Sequence, residues 1–190
     1  DRNFDSSSTS PVSNNPFIQN TDKIDARDIK ISEVEKSHYA IAQKIKQMLM
    51  SDAIPQSASG ISADDVGVQL RVNSDIMFKP GSVDLLPDGE RVLTAVLDLM
   101  DEYNLYLVVR GHADSAETAP PFTSAWELSG ARAASMVNYL VQHGVKATRM
   151  RAVSYGDTRP LKPGIDEQSR AMNRRVEIVI ADDKGNLRGR

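Results

Sequence analysis

The chain has 190 residues, 40% of them apolar, and a formal net charge of −3, with Lys and Arg scattered along it. That is enough apolar material for one good core and a tail rather than two full domains, and a scattered, slightly acidic charge argues against nucleic acid as the main partner. Cysteine is absent, which excludes disulfides, thiolate metal ligands and thiol nucleophiles while leaving the compartment open.

No stretch approaches the roughly 20 consecutive apolar residues that cross a bilayer, and a chain that starts at Asp1 rather than Met reads as a soluble piece of something longer. Residues 1–28 are dominated by Ser, Asn, Asp, Thr and Pro and are expected to form a flexible tether. Residues 29–60 read as an amphipathic linker helix followed by a loop. Ile31, Val34, His38, Ile41, Ile45 and Met48 recur at helical spacing, Ser32 is placed to cap ahead of Glu35, and the Pro, Ser and Gly of residues 51–60 break the pattern. The apolar stripe of that helix must be covered by its own domain or by a second copy of the chain.

The main domain is expected over residues 61–182. Val66, Val68, Leu70 and Val72 alternate as in a half-buried strand. Pro87 opens a helix striped by Val92, Leu93, Val96, Leu97 and Met100, and Leu105, Leu107 and Val109 supply a second strand. A long helix from about Thr123 to Gln142 stops at His143-Gly144, and a weaker strand follows near Met150 to Tyr155. A short helix near Asp166 to Ala171 precedes the clearest strand, where Val176, Ile178 and Ile180 alternate with Arg175, Glu177 and Val179; residues 183–190 read as a polar tail. The pattern predicts an α+β fold, a two-layer sandwich in the order β-α-β-α-β-(α)-β with a mixed sheet and an extra N-terminal helix. The face of the sheet away from the helices, carrying Tyr106, Arg110, Arg149, Arg151, Arg175 and Glu177, is expected to be partly solvated.

The second strand ends abruptly in Gly111-His112-Ala113-Asp114, and the long helix presents Arg132 from its first turns. An acceptor-only carboxylate and a five-donor guanidinium facing one another across a cleft suit a zwitterionic ligand; spacing alone favours instead a surface ion pair between them worth roughly 0 to 1 kcal/mol. His112 and Asp114 form an H-x-D pair, but zinc needs at least three protein ligands and His38 and His143 lie in unrelated segments, so no metal is expected. Ser129 lacks a nucleophile-elbow context, and no enzyme activity or cofactor is expected. Trp126 is expected to anchor the helix entrance by packing under the binding loop.

Gly111-His112-Ala113-Asp114, Ser124 to Ala133, Gly144-Val145, Tyr155-Gly156-Asp157, Arg159-Pro160 and Asn173 to Ile178 together resemble the OmpA-like peptidoglycan-binding domain over about Val66 to Ile180. The Trp-Glu-Leu-Ser version of the helix start, Phe122 before it and the long connection from Asp114 to Ala125 are most similar to MotB-type flagellar stator subunits. The resemblance implies non-catalytic binding of the peptidoglycan stem peptide through its meso-diaminopimelate. Asp114 would take the ammonium and Arg132 the carboxylate, with Arg174 assisting and Ala113, Ala125 and Leu128 at matching motif positions. The family usually has Thr where Ala113 stands and Asn where Ala125 stands, which implies reduced affinity.

The resemblance also implies a periplasmic location, a homodimer, a MotA-like membrane partner and a single N-terminal inner-membrane span outside this chain. The implied role is anchoring a stator to the cell wall for torque generation. A general OmpA-like anchor in a lipoprotein or secretion system is the alternative, and a metal-assisted hydrolase built on His112 and Asp114 is a third reading from a different class.

Overall fold

The computed structural model describes residues 26–117 and 120–190. Its centre is a five-stranded mixed sheet in the order β1-β2-β5-β3-β4, with β1 Ser59–Ala63, β2 Val68–Asn73, β3 Tyr106–His112, β4 Met150–Ser154 and β5 Arg175–Ala181. Only β3 and β4 run parallel; the other neighbours are antiparallel. The helices are α1 Ala26–Ser51, the single turn α2 Ser74–Met77, α3 Pro87–Glu102, α4 Ala125–Gln142 and α5 Glu167–Asn173. The expected two-layer α+β arrangement is what forms, with one more strand than the sequence suggested.

That strand is β1, which falls partly in the segment read as a loop. Ser-Gly-Ile-Ser-Ala carries no run of β-branched or aromatic residues, and its pairing with β2 at the sheet edge decides its conformation. The other boundaries differ by a few residues. The first 25 residues of the expected tether lie outside the described residues, and residues 26–28 already belong to α1. The packing of Ile31 and the Ser32 cap also lie outside the described side chains.

Period-two alternation sorts each central strand between two faces. Leu107 and Val109 of β3, Val176, Ile178 and Ile180 of β5, and Leu70 and Val72 of β2 join Val92, Val96 and Leu99 of α3 and Met136 and Leu140 of α4 in the main core. Ile41, Ile45 and Leu49 of α1 enter the same core, and burying each is worth about 1.5–3 kcal/mol. His38 is buried as well, with Nδ1 2.7 Å from the Asp64 carbonyl. Lys44 pairs with Glu102 of α3. From His38 to Leu49 the apolar stripe of this helix is therefore covered by its own domain, while Val34 of the stripe, and Tyr39 and Met50, are exposed.

The opposite face of the sheet is solvated only in part: Arg151 is exposed and Tyr106, Arg110 and Arg149 are half-buried, but Arg175 and Glu177 are not at the surface. Val108, Val179 and Ala181 form a second buried cluster beneath Leu187, which sits on a 3-10 turn, Lys184–Leu187, within the segment read as a polar tail. Beside it Arg175 and Glu177 are 3% and 6% exposed. Glu177 accepts from His112 Nε2 at 2.8 Å and from Arg175 Nε at 3.0 Å, and Arg110 Nη2 stands 3.0 Å from it as an ion-pair partner. Arg175 also donates to the carbonyls of Arg159 and Asn173, so the chain after β4 folds over this face. The cross-strand pair of Arg110 and Glu177 is thus present but buried, and Arg175 beside it is anchored to backbone carbonyls.

Burial lowers the His112 pKa from its ordinary 6.5 despite the opposing pull of Glu177. The neutral ring donates from Nε2 to Glu177, and Nδ1 is buried with no partner among the described residues. Burial works to raise the Glu177 carboxyl, but the hydrogen bond from His112 and the Arg175 and Arg110 guanidiniums outweigh it and hold it at about 2, below its ordinary 4.5. Both groups therefore bind protons more readily in the unfolded chain. Stability is expected to fall as the pH drops below 6.5, through His112, and again from 4.5 towards 2, through Glu177. Urea unfolding at pH 7.5, 5.5 and 4 checks this: a His112→Asn variant should lose less stability than the wild type between the first two points, and an equal loss would remove His112 as the cause.

Candidate functional site

Three connections converge at one end of the sheet. Gly111 lies against α4, where an added Cβ would stand 2.1 Å from the Ser129 carbonyl oxygen; only glycine lets strand and helix come this close. Two residues on, Ala113 N donates to the Gly156 carbonyl at 2.8 Å, fixing where β3 releases its chain. Asp114 follows, 3% exposed, with Oδ1 accepting from Ala116 N at 2.6 Å in a tight local turn. Helix α4 starts with Ser124 accepting from Glu127 N at 3.2 Å while the Glu127 carboxylate reaches back to Thr123 N at 2.8 Å, so two main-chain donors at this end are satisfied. This cap sets the rotation of α4 and brings Arg132, two turns in and also 3% exposed, to the same side as Asp114. Asp166 caps α5 by accepting from Ser169 N at 2.8 Å, and Arg174 leaves the end of that helix.

The result is an open pocket of about 550 Å³ lined by Asp75, Asp114, Glu117 and Glu167, by Arg132, Arg170 and Arg174, and by Ser74, Phe78, Pro80, Gly81 and Ala116. Its size suits a small ligand or the end of a larger one. Asp114 and Arg132 both line it but do not bond each other. Asp114 Oδ2 accepts from Arg174 Nη1 at 2.8 Å. Arg174 is also gripped at two points by Asp75, at 3.1 and 2.9 Å, and by Glu167 at 2.6 Å. These carboxylates, Asp75 foremost, hold the Arg174 pKa above its ordinary value. Arg132 donates from Nε to the Ser82 carbonyl at 3.2 Å and from Nη1 to Glu117 Oε2 at 2.7 Å, with its guanidinium 5.6 Å from the Phe78 ring centroid.

The remaining sequence-derived positions take other places. Ala113 and Leu128 are buried, and none of Ala113, Leu128 and Ala125 lines the pocket. Ala125 sits at the first position of α4, where its carbonyl accepts from the Ser129 hydroxyl. Trp126 is 52% exposed rather than packed beneath a loop, its ring lying over Gly156, whose added Cβ would stand 3.1 Å from it. His112 bonds Glu177 and Asp114 bonds Arg174, so the H-x-D pair does not converge on a shared point.

Asp75, Glu117, Glu167 and Arg170 were not singled out from the sequence. Asp75 and Arg174 are ninety-nine positions apart, and only the pairing of β2 with β5 brings them together. A charged residue soon after the G-H-x-D run was the one available signal for Glu117.

A small α/β domain thus carries, at one end of its sheet, a pocket of alternating carboxylates and guanidiniums. The chain belongs to the OmpA family, whose profile matches residues 77–174. It is 37% identical over 109 residues to the peptidoglycan-associated lipoprotein of Pseudomonas aeruginosa, covering 57% of this chain and 63% of that one. It is 29% identical over 129 residues to motility protein B of Helicobacter pylori, covering 65% of this chain and 49% of that one. The solved structure of a MotB-like protein from Desulfovibrio vulgaris superposes with a TM-score of 0.71 at 26% identity, covering 80% of this chain and 96% of that one. The chain spans between about a third and just under two thirds of the length of the curated relatives it matches.

Proposed function

We propose that this chain is a non-catalytic peptidoglycan-binding domain that anchors a MotB-like stator subunit to the cell wall so that torque can be transmitted. The observation that carries the reading is the meeting of buried Asp114 and Arg132 in one accessible pocket. The ligand is the meso-diaminopimelate of the stem peptide, whose side-chain end bears an ammonium and a carboxylate on one carbon. Asp114 retains acceptor capacity beyond its two bonds, and no hydrogen bond runs from Arg132 Nη2 to the described residues. The site thus has an acceptor for the ammonium and, in Arg132 Nη2, a first donor for the carboxylate, Nη1 being held by Glu117.

Membership of the OmpA family, a lipoprotein relative named for its association with peptidoglycan, and the motility protein relative support wall anchoring and a periplasmic location. The stator assignment goes further. It requires dimerisation, a MotA-like partner and a membrane span, and no described helix is long and apolar enough to be that span. The lipoprotein relative favours the second reading, a general wall anchor. Sequence upstream of this chain in its gene separates the two, since a stator subunit carries one apolar span with an Asp near its start and a lipoprotein carries a Cys after a signal peptide.

Binding is tested by sedimentation with purified sacculi. The wild type should be retained, and Asp114→Ala and Arg132→Ala should each lose roughly tenfold to a hundredfold in affinity, the effect of a lost charge-assisted hydrogen bond of about 1.5–3 kcal/mol. Retention that is unaltered by either substitution would place binding elsewhere on the molecule.

A further inference from the structure

The Arg132 guanidinium already holds a carboxylate, and it belongs to the protein. Glu117 Oε2 accepts from Arg132 Nη1 at 2.7 Å, with both side chains largely buried, Glu117 at 11% and Arg132 at 4% exposure. We propose that Glu117 is an internal competitor for the ligand's carboxylate, an affinity- and specificity-determining residue of this pocket; the inference rests on the diaminopimelate reading above.

Glu117 is poorly satisfied where it lies. Its Oε1 is buried with no hydrogen-bond partner among the described residues, so a charged group has left water for one good bond instead of the several a buried carboxylate normally requires. Its main chain contributes only a long bond, Glu117 N to the Asp114 carbonyl at 3.3 Å. Arg132 is better held, by the Ser82 carbonyl and over the face of Phe78, so it stays in place when the carboxylate changes. The arrangement is a monodentate, half-satisfied pair that a bidentate carboxylate would replace at a profit of one charge-assisted bond.

The charge balance points the same way. Asp75, Asp114, Glu117 and Glu167 face Arg132, Arg170 and Arg174 in the pocket, leaving one carboxylate in excess. A ligand bearing only an ammonium meets this excess without disturbing Glu117. A ligand bearing ammonium and carboxylate on one carbon must expel Glu117 from Arg132, and the freed carboxylate then remains beside the incoming ammonium. Glu117 therefore lowers affinity for the zwitterion relative to what Asp114 and Arg132 would give alone, while leaving a simple ammonium ligand unopposed.

The experiment is calorimetric titration of the whole chain with two soluble tripeptides, L-Ala-γ-D-Glu-meso-diaminopimelate and L-Ala-γ-D-Glu-L-Lys. The second ends its side chain in an ammonium without a carboxylate. Glu117→Gln should bind the diaminopimelate peptide at least fivefold more tightly than the wild type while its affinity for the lysine peptide stays unchanged or falls; Glu117→Ala should behave alike, which guards against a fold defect in either variant. Unchanged or weaker binding of the diaminopimelate peptide by both variants overturns the competitor role. Equal tightening for both peptides also overturns it, because the gain would not come from a released Arg132. Diaminopimelate binding that survives Asp114→Ala sinks the underlying reading instead, and absence of binding by all proteins sinks both.

Discussion

Glu177→Ala is expected to lower the free energy of unfolding by about 3–5 kcal/mol, the usual result of removing one partner from a buried ion cluster. The carboxylate stands between Arg110 Nη2 and Arg175 Nε, each at 3.0 Å, and accepts from His112 at 2.8 Å. Without it two guanidiniums remain in a sparsely hydrated layer with only carbonyl and amide oxygens to meet them, among them the Gln69 side chain at 3.1 Å from Arg110. A loss of that size is a large share of the roughly 5–15 kcal/mol that holds a domain together. Glu177→Gln, which keeps shape and part of the hydrogen bonding, should lose less. Equilibrium urea unfolding near neutral pH measures both, and a loss under about 1 kcal/mol for the alanine variant would mean the cluster is solvated after all. The site should feel this change only through stability, since Glu177 does not line the pocket.

Gly111→Ala couples stability and binding. The new Cβ would stand 2.1 Å from the carbonyl oxygen of Ser129 and 2.8 Å from its carbon, so the backbone of α4 must retreat from β3 by about 1 Å. Overpacking of this kind costs about 1–3 kcal/mol, and no flexible side chain is available here to absorb it. Because Asp114 hangs from β3 and Arg132 from α4, the same displacement spreads the pocket's two arms. Binding geometry tolerates roughly 0.5 Å, so sacculus affinity should fall at least tenfold even where the variant remains folded. Gly130→Ala is the contrast: its Cβ would meet only the Ser154 side chain at 3.3 Å, and a helix-interior alanine recovers roughly 0.5–1 kcal/mol of backbone entropy. Near-wild-type binding by Gly130→Ala beside the failure of Gly111→Ala would tie the effect to the strand–helix approach. Equal binding by all three proteins would break that link.

Much of the architecture was written locally. The alternation Val176, Ile178 and Ile180 marked β5, Pro87 marked the start of α3, and His143-Gly144 marked the end of α4, because strand pleat, helix opening and helix termination each act within a few residues. Strand β1 escaped because Ser-Gly-Ile-Ser-Ala has no local preference to read. The buried charges of β3 and β5 were misjudged for a related reason: a charged residue on a strand signals solvent only until another segment covers it, and Leu187 and the chain near Arg159 do so from distant positions.

Sequence alone determined the identity of the two charged groups proposed to clasp a ligand, since Asp114 and Arg132 sit in a run of motifs whose order identifies the OmpA family. Their present partners were decided by tertiary structure. Arg174 reaches Asp114 because β3 pairs antiparallel with β5, and Asp75 reaches Arg174 because β2 pairs with the other edge of β5. Charge–charge contacts fall off within a few ångströms and are indifferent to separation along the chain, whereas the periodicities that reveal strands and helices are properties of neighbours in sequence.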